Sequence, residues 1–188
     1  NRDSKGIGRD SFKMIEFIDL YKNIPVSKFL ELYYEAVKKK QTLPEAVCIS
    51  SIDSKNMEID SRLVNLKYIF KDEWIFFSNY NSPKSKQFDS HKQISANFFW
   101  ESINTQIRIK AKIRKSDSKF SDYHFNKRTK EKNALAIISS QSKKIASYED
   151  FCSKYNSFMT RDNVDFFQRP DYWGGFSFVP YFFEFWTG

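Results

Sequence analysis

Gln106–Ile113, QIRIKAKI, alternates strictly: Ile107, Ile109, Ala111 and Ile113 fall on one side of an extended chain, and Gln106, Arg108, Lys110 and Lys112 on the other. Successive side chains of a strand point to opposite faces, so a period of two marks a half-buried β-strand. Working outward, Ala46–Asp53 (AVCISSID), Arg62–Ile69 (RLVNLKYI), Trp74–Ser78 (WIFFS) and Ile94–Trp100 (ISANFFW) read as earlier strands. Gly175–Val179 and Phe182–Trp186 read as later ones. Parallel pairs need long crossovers, so short strands in quick succession predict an antiparallel barrel.

Helical patterns flank these strands. Phe29, Leu32, Tyr33, Ala36 and Val37 share one face of a predicted helix over Val26–Lys39, and Pro44 closes that region. Ser82-Pro83 is a helix start, with a hydroxyl to cap and a proline suited to the first helical position. Ser116–Lys127 and Tyr148–Met159 complete the set, the latter through Phe151, Tyr155 and Phe158. Residues 1–24 read as an arm that docks on a partner, and 25–188 as one domain without internal repeats.

The bulk properties bound the function. A chain of 188 residues with 40% hydrophobic and 18% aromatic residues can bury a substantial core. Its net charge of +8 suits nucleic acid, an anionic surface or small phosphorylated ligands. Only short basic runs occur, such as Lys38-Lys39-Lys40 and Lys127-Arg128, which argues against nucleic acid. No apolar run approaches the roughly 20 residues of a membrane span. Cys48 and Cys152 lack ligand spacing and read as buried thiols, which fits a reducing cytoplasm.

Acid–base and nucleophilic equipment is sparse. His91 and His124 are the only histidines, and neither has a cysteine or a glycine-flanked serine nearby. No zinc site and no protein-borne catalytic residue is expected, so any chemistry would rest on a cofactor. What the sequence offers is anion binding. Lys84 falls in the first turn of the helix opened by Ser82-Pro83, and Arg62 and Lys67 stand on one strand, pointing to opposite faces if it is regular.

RLVNLK (Arg62–Lys67), FFSNYNSPK (Phe76–Lys84), Gln106 opening the alternating strand, SSQS (Ser139–Ser142) and WGGFSFVPYFFEFWTG (Trp173–Gly188) stand in a particular order and spacing. In these motifs the chain resembles the pyridoxamine 5′-phosphate oxidase family, over roughly residues 25–188. The resemblance implies a mainly β fold with flanking helices, a split antiparallel β-barrel that binds FMN. It implies FMN contacts from Arg62, Leu63, Val64, Phe77, Ser78, Lys84, Gln106, Gln141, Ser142 and Trp186. Arg62 and Lys84 would hold the phosphate, and Gln106 the flavin edge.

The family's substrate-phosphate positions fall on Lys67, His124, Arg128 and Lys132. His124 stands where the family usually has Tyr, Lys132 where it has Ser, Pro83 where an Arg is common, and Leu43 where an acid often precedes the proline. The family pattern continues beyond Gly188 with an Arg-x-His segment. The implied activity is oxidation of pyridoxamine or pyridoxine 5′-phosphate to pyridoxal 5′-phosphate, with dioxygen giving hydrogen peroxide, in a homodimer that holds FMN between subunits. Two alternatives stay open: a flavin oxidoreductase acting on another heterocycle, and a non-catalytic binder of flavin or pyridoxal phosphate.

Overall fold

The computed structural model describes residues 14–139 and 144–188. Its strands are β1 (Glu16–Ile18), β2 (Ala46–Ile52), β3 (Ile59–Phe70), β4 (Glu73–Asn79), β5 (Gln93–Trp100), β6 (Thr105–Lys115) and β7 (Trp173–Thr187). The helices are α1 (Ile24–Lys38), α2 (Pro83–Ser90), α3 (Ser118–Lys127), α4 (Lys130–Ile138) and α5 (Tyr148–Met159). Strands run in the order β3-β2-β5-β6-β7-β4, and a β3–β4 pairing closes the ring into a six-stranded antiparallel barrel. Closure leaves no long edge open to other chains.

The long strand β3 makes the closure. Its residues 59–65 pair with β2, and 66–70 pair with β4. Register shifts between Leu66 and Tyr68, so Lys67 is the extra residue of a bulge. A bulge bends a strand and re-aims its side chains. Leu66 and Ile69 therefore both face the core, while Tyr68 packs outside against α3.

The alternation of Gln106–Ile113 is realised: Ile107, Ile109 and Ala111 are wholly buried, and Arg108 reaches solvent to pair with Glu184 at 2.7 Å. Aromatic side chains fill the interior. Phe29 of α1 meets Trp74, Phe98 and Trp100 at ring distances of 4.5, 5.3 and 5.4 Å. Asn23 caps α1 by accepting from the Val26 amide at 2.9 Å, and Pro25 follows in its first turn.

Three expectations change. The last two predicted strands are one, β7, because Pro180 sits at a bulge opposite Ala111, where its missing N–H does not break the ladder. Helix α4 was hidden because its apolar face is short; Thr129 caps it. The arm is not wholly separate: β1 pairs in parallel with β3, and the Ile15 amide donates to Tyr33 Oη at 3.0 Å. The WGG motif is a packing requirement. A Cβ on Gly174 would lie 2.2 Å from Tyr80 Oη, and one on Gly175 would lie 2.8 Å from Ser116 Oγ.

Candidate functional site

One cationic corner forms where β3 faces the start of α2. Arg62 lies opposite Ile49 of β2. Its Nη1 donates to Ser51 Oγ at 2.6 Å, and its Nη2 to Gln87 Oε1 at 3.0 Å. Gln87 in turn donates through Nε2 to Asp60 Oδ2 at 2.5 Å. Asp60 is half exposed and stands 3.6 Å from the guanidinium. Lys84, 8% exposed, donates from Nζ to Ser82 Oγ at 3.2 Å.

Ser82 occupies the N-cap position but makes no capping bond; its hydroxyl donates to the Asn79 carbonyl at 2.7 Å. The expected capping hydroxyl instead orients the ammonium. Burial, then the nearby Arg62 charge, pushes Lys84 down to about 8. Burial also lowers Arg62. Two cations held near each other at the positive end of a helix form a site suited to a dianion.

A second corner is built on stacked rings. His124 of α3 lies face to face on Phe77 of β4 at 3.7 Å, and Phe77 stacks on Trp173 at 5.3 Å. The Arg128 guanidinium covers the Trp173 ring at 4.4 Å. Arg128 Nη2 donates to the Lys132 carbonyl at 2.8 Å, while Nη1 is buried without a hydrogen-bond partner among the described residues. Burial lowers Arg128 to about 10. His124 is pushed down to about 3, by burial first and then by Arg128, Lys67 and Lys127. His124, Arg128 and Lys132 are thus gathered in one region, and Lys67, at the β3 bulge, is near enough for its charge to act on His124.

The remaining positions lie elsewhere. Gln106 pairs directly with Trp186 across β6 and β7, and its Nε2 donates to Asn97 Oδ1 at 3.0 Å. Trp186 is 54% exposed and Leu63 is 73% exposed, both on the outer face of the barrel. Strands β2 and β5 separate β3 from β6, three spacings of about 4.8 Å. One chain therefore does not bring Gln106 and Trp186 against Arg62 and Lys84. Val64 is half-buried and Ser78 buried. Gln141 and Ser142 lie outside the described residues.

Sequence reading missed the frame around Arg62. Gln87 follows Lys84 by three residues, a spacing that shares one helix face, and this was the available signal. It also missed Tyr68, whose side the bulge decides.

A closed split barrel carrying two cationic corners defines the class. The nitrogen-lined corner by Arg62 and the orphaned Arg128 donor both fit phosphate groups.

Comparison with known proteins narrows this. The chain is similar to pyridoxine/pyridoxamine 5′-phosphate oxidase 1 of Hydrogenovibrio crunogenus, 31% identical over an alignment of 189 positions that spans 100% of this chain and 86% of the relative. Among solved structures it resembles PhzG from Burkholderia lata 383 in complex with tetrahydrophenazine-1-carboxylic acid. That match has a TM-score of 0.80 at 20% identity and covers 87% of this chain and 80% of that one. It also resembles a pyridoxamine 5′-phosphate oxidase-related, FMN-binding protein from Nostoc punctiforme, with a TM-score of 0.65 at 9% identity, over 86% of this chain and 82% of that one. At these identities the structural likeness concerns the fold. No protein-family model matches the sequence. The chain belongs to the pyridoxine/pyridoxamine 5′-phosphate oxidase family.

Proposed function

We propose that this protein is an FMN-dependent oxidase that converts pyridoxamine or pyridoxine 5′-phosphate to pyridoxal 5′-phosphate. The observation that carries the reading is Arg128, whose buried Nη1 has no hydrogen-bond partner among the described residues, in the corner where the Arg128 and Lys67 charges both act on His124. A buried unpaired donor costs stability unless a ligand uses it, and a substrate phosphate would.

Arg62 and Lys84 would hold the FMN phosphate, a role supported by their shared burial and mutual repulsion. Leu63, Val64, Ser78, Gln141 and Ser142 would line the rest of that cofactor's site, with Gln106 and Trp186 against the flavin ring, and Phe77, whose ring stacks between His124 and Trp173, would join it to the second corner. When bound, FMN supplies the two-electron acceptor, and dioxygen leaves as hydrogen peroxide; the amine substrate also consumes water and releases ammonia. The chain's own part is to anchor both phosphates, fix the substrate plane with ring faces and exclude water, so that proximity is the main catalytic contribution.

The separation of Gln106 and Trp186 from Arg62 within one chain supports a homodimer in which each cofactor draws on both copies. Exposed Leu63, Phe99, Phe182 and Trp186 on the outer face support the same assembly. Residues 25–188 act as the FMN-binding unit and 1–24 as its arm, in a cytoplasmic protein; no helix among the described residues is long and apolar enough to cross a membrane.

The test is purification with FMN followed by oxygen-electrode assay. Yellow protein that releases peroxide with pyridoxamine 5′-phosphate, and far less with unphosphorylated pyridoxamine, is the expected result. Flavin-loaded protein equally inactive on both would favour a second reading, another heterocyclic substrate, for which His124 and Lys132 in place of the family's Tyr and Ser speak. Protein that stays colourless in excess FMN would contradict the proposal.

A further inference from the structure

Tyr68 touches the second corner through a single polar contact. Its Oη lies 2.8 Å from His124 Nδ1, and the two rings meet edge to face at 89° with centroids 5.4 Å apart. Phe77 fixes the imidazole plane from one side by parallel stacking at 3.7 Å. The ring can neither rotate away nor tilt without losing both contacts. Tyr68 is itself 2% exposed and packed on Phe120 at 5.0 Å.

Resting on the reading of this corner as the substrate-phosphate site, we propose that Tyr68 is a positioning residue that fixes His124 as the neutral Nε2–H tautomer, a donor to the substrate phosphate. The surroundings leave two arrangements. Arg128, Lys67 and Lys127 oppose a proton on both ring nitrogens. Burial, with Glu16 and Tyr123 nearby, keeps the Tyr68 phenol un-ionised. Either the phenol donates to Nδ1 and the proton of the ring sits on Nε2, or Nδ1–H donates to the phenol and Nε2 carries a lone pair.

The imidazole nitrogen is the better acceptor of the two partners. With a substrate phosphate bound at Nε2, a lone pair there would repel its oxygens, whereas an N–H would donate to them. Donation from Tyr68 therefore selects the tautomer that the anion requires. His124 then works without titrating, and it replaces a phenol by another neutral donor at the family's tyrosine position.

The protein's two histidines make the test direct. Full-length, FMN-loaded protein labelled with 15N-histidine is examined from pH 5.5 to 8, alone, with inorganic phosphate and with pyridoxal 5′-phosphate; His91→Gln assigns the signals. The expected result is a non-titrating His124 with its proton on Nε2 when either anion is bound. Tyr68→Phe should weaken pyridoxal 5′-phosphate binding roughly fivefold, as for one lost hydrogen bond. It should also let the neutral ring populate both tautomers, so that the 15N signals of His124 no longer report a proton confined to Nε2.

In a His124→Gln background, where the amide N–H replaces Nε2–H, Tyr68→Phe should have no further effect on affinity. A proton on Nδ1 of bound His124 would overturn the proposal. So would an equal loss from Tyr68→Phe with or without His124, since that marks a purely structural role. If pyridoxal 5′-phosphate fails to bind the parent, the substrate reading falls, and the tautomer seen with inorganic phosphate still decides the role of Tyr68.

Discussion

The Arg62–Lys84 corner and the Arg128–His124 corner carry similar charge but are held in different ways. Arg62 is framed by polar partners: Ser51, Gln87 and Asp60 occupy its nitrogens. Arg128 is framed by ring faces, with Trp173 at 4.4 Å and Phe125 at 5.5 Å, and retains a buried donor without a partner among the described residues. Polar framing fixes a cation by using up its donors. Aromatic framing fixes its plane and leaves donors for a ligand. The first arrangement suits a resident group held by charge at a helix start, and the second suits a substrate that must come and go.

Removing the ring-framed cation should produce the largest change. Arg128→Ala is expected to weaken pyridoxal 5′-phosphate binding about 100-fold, near 3 kcal/mol, while leaving FMN affinity within about twofold. Calorimetric titration of both ligands checks it, and equal losses would erase the distinction between the corners.

Next comes acid stability. His124 has its proton affinity lowered from the ordinary 6.5 to about 3, so between those values the unfolded chain binds a proton that the folded chain refuses. The stability contributed by neutral His124 is therefore complete above 6.5 and lost as pH falls towards 3. His124→Gln should flatten this limb, by on the order of 2 kcal/mol at pH 4 relative to its own neutral-pH value. Urea unfolding of both proteins at pH 4 and 7 measures it.

The polar corner yields a smaller, pH-coded effect. Lys84→Ala should weaken FMN about tenfold or somewhat more. Because burial and Arg62 hold the free ammonium near 8, FMN affinity in the parent should fall as pH rises above 8, towards the loss shown by Lys84→Ala, whereas Lys84→Arg should remain flat there. Flavin-fluorescence quenching from pH 7 to 10 separates the two. The smallest expected change is Gln106→Ala, about fivefold in FMN affinity, since one neutral hydrogen bond is removed from a site shared with Trp186.

The barrel was legible because its signal is local. Alternation along Gln106–Ile113 fixes which face is buried, and the structure follows it residue by residue. The membership of the second corner could be read only through resemblance. Nothing in the spacing of Lys67, His124, Arg128 and Lys132 says that a β-strand and two helix ends converge. The bulge at Lys67 decides the side on which Tyr68 emerges, and a bulge leaves no mark in a period-two pattern. Likewise β7 looked like two strands because Pro180 ordinarily ends one, and only its place opposite a register shift makes it tolerable.

If one chain carries two separate phosphate sites, one for cofactor and one for substrate, each should be removable without the other. The direct measurement is a crossed titration of FMN and pyridoxal 5′-phosphate into the parent, Lys84→Ala and Arg128→Ala proteins. Lys84→Ala is expected to lose FMN affinity while FMN-saturated Lys84→Ala still binds pyridoxal 5′-phosphate, and Arg128→Ala to show the reverse. Loss of both ligands by the same factor in each variant, with the fold intact, would contradict it.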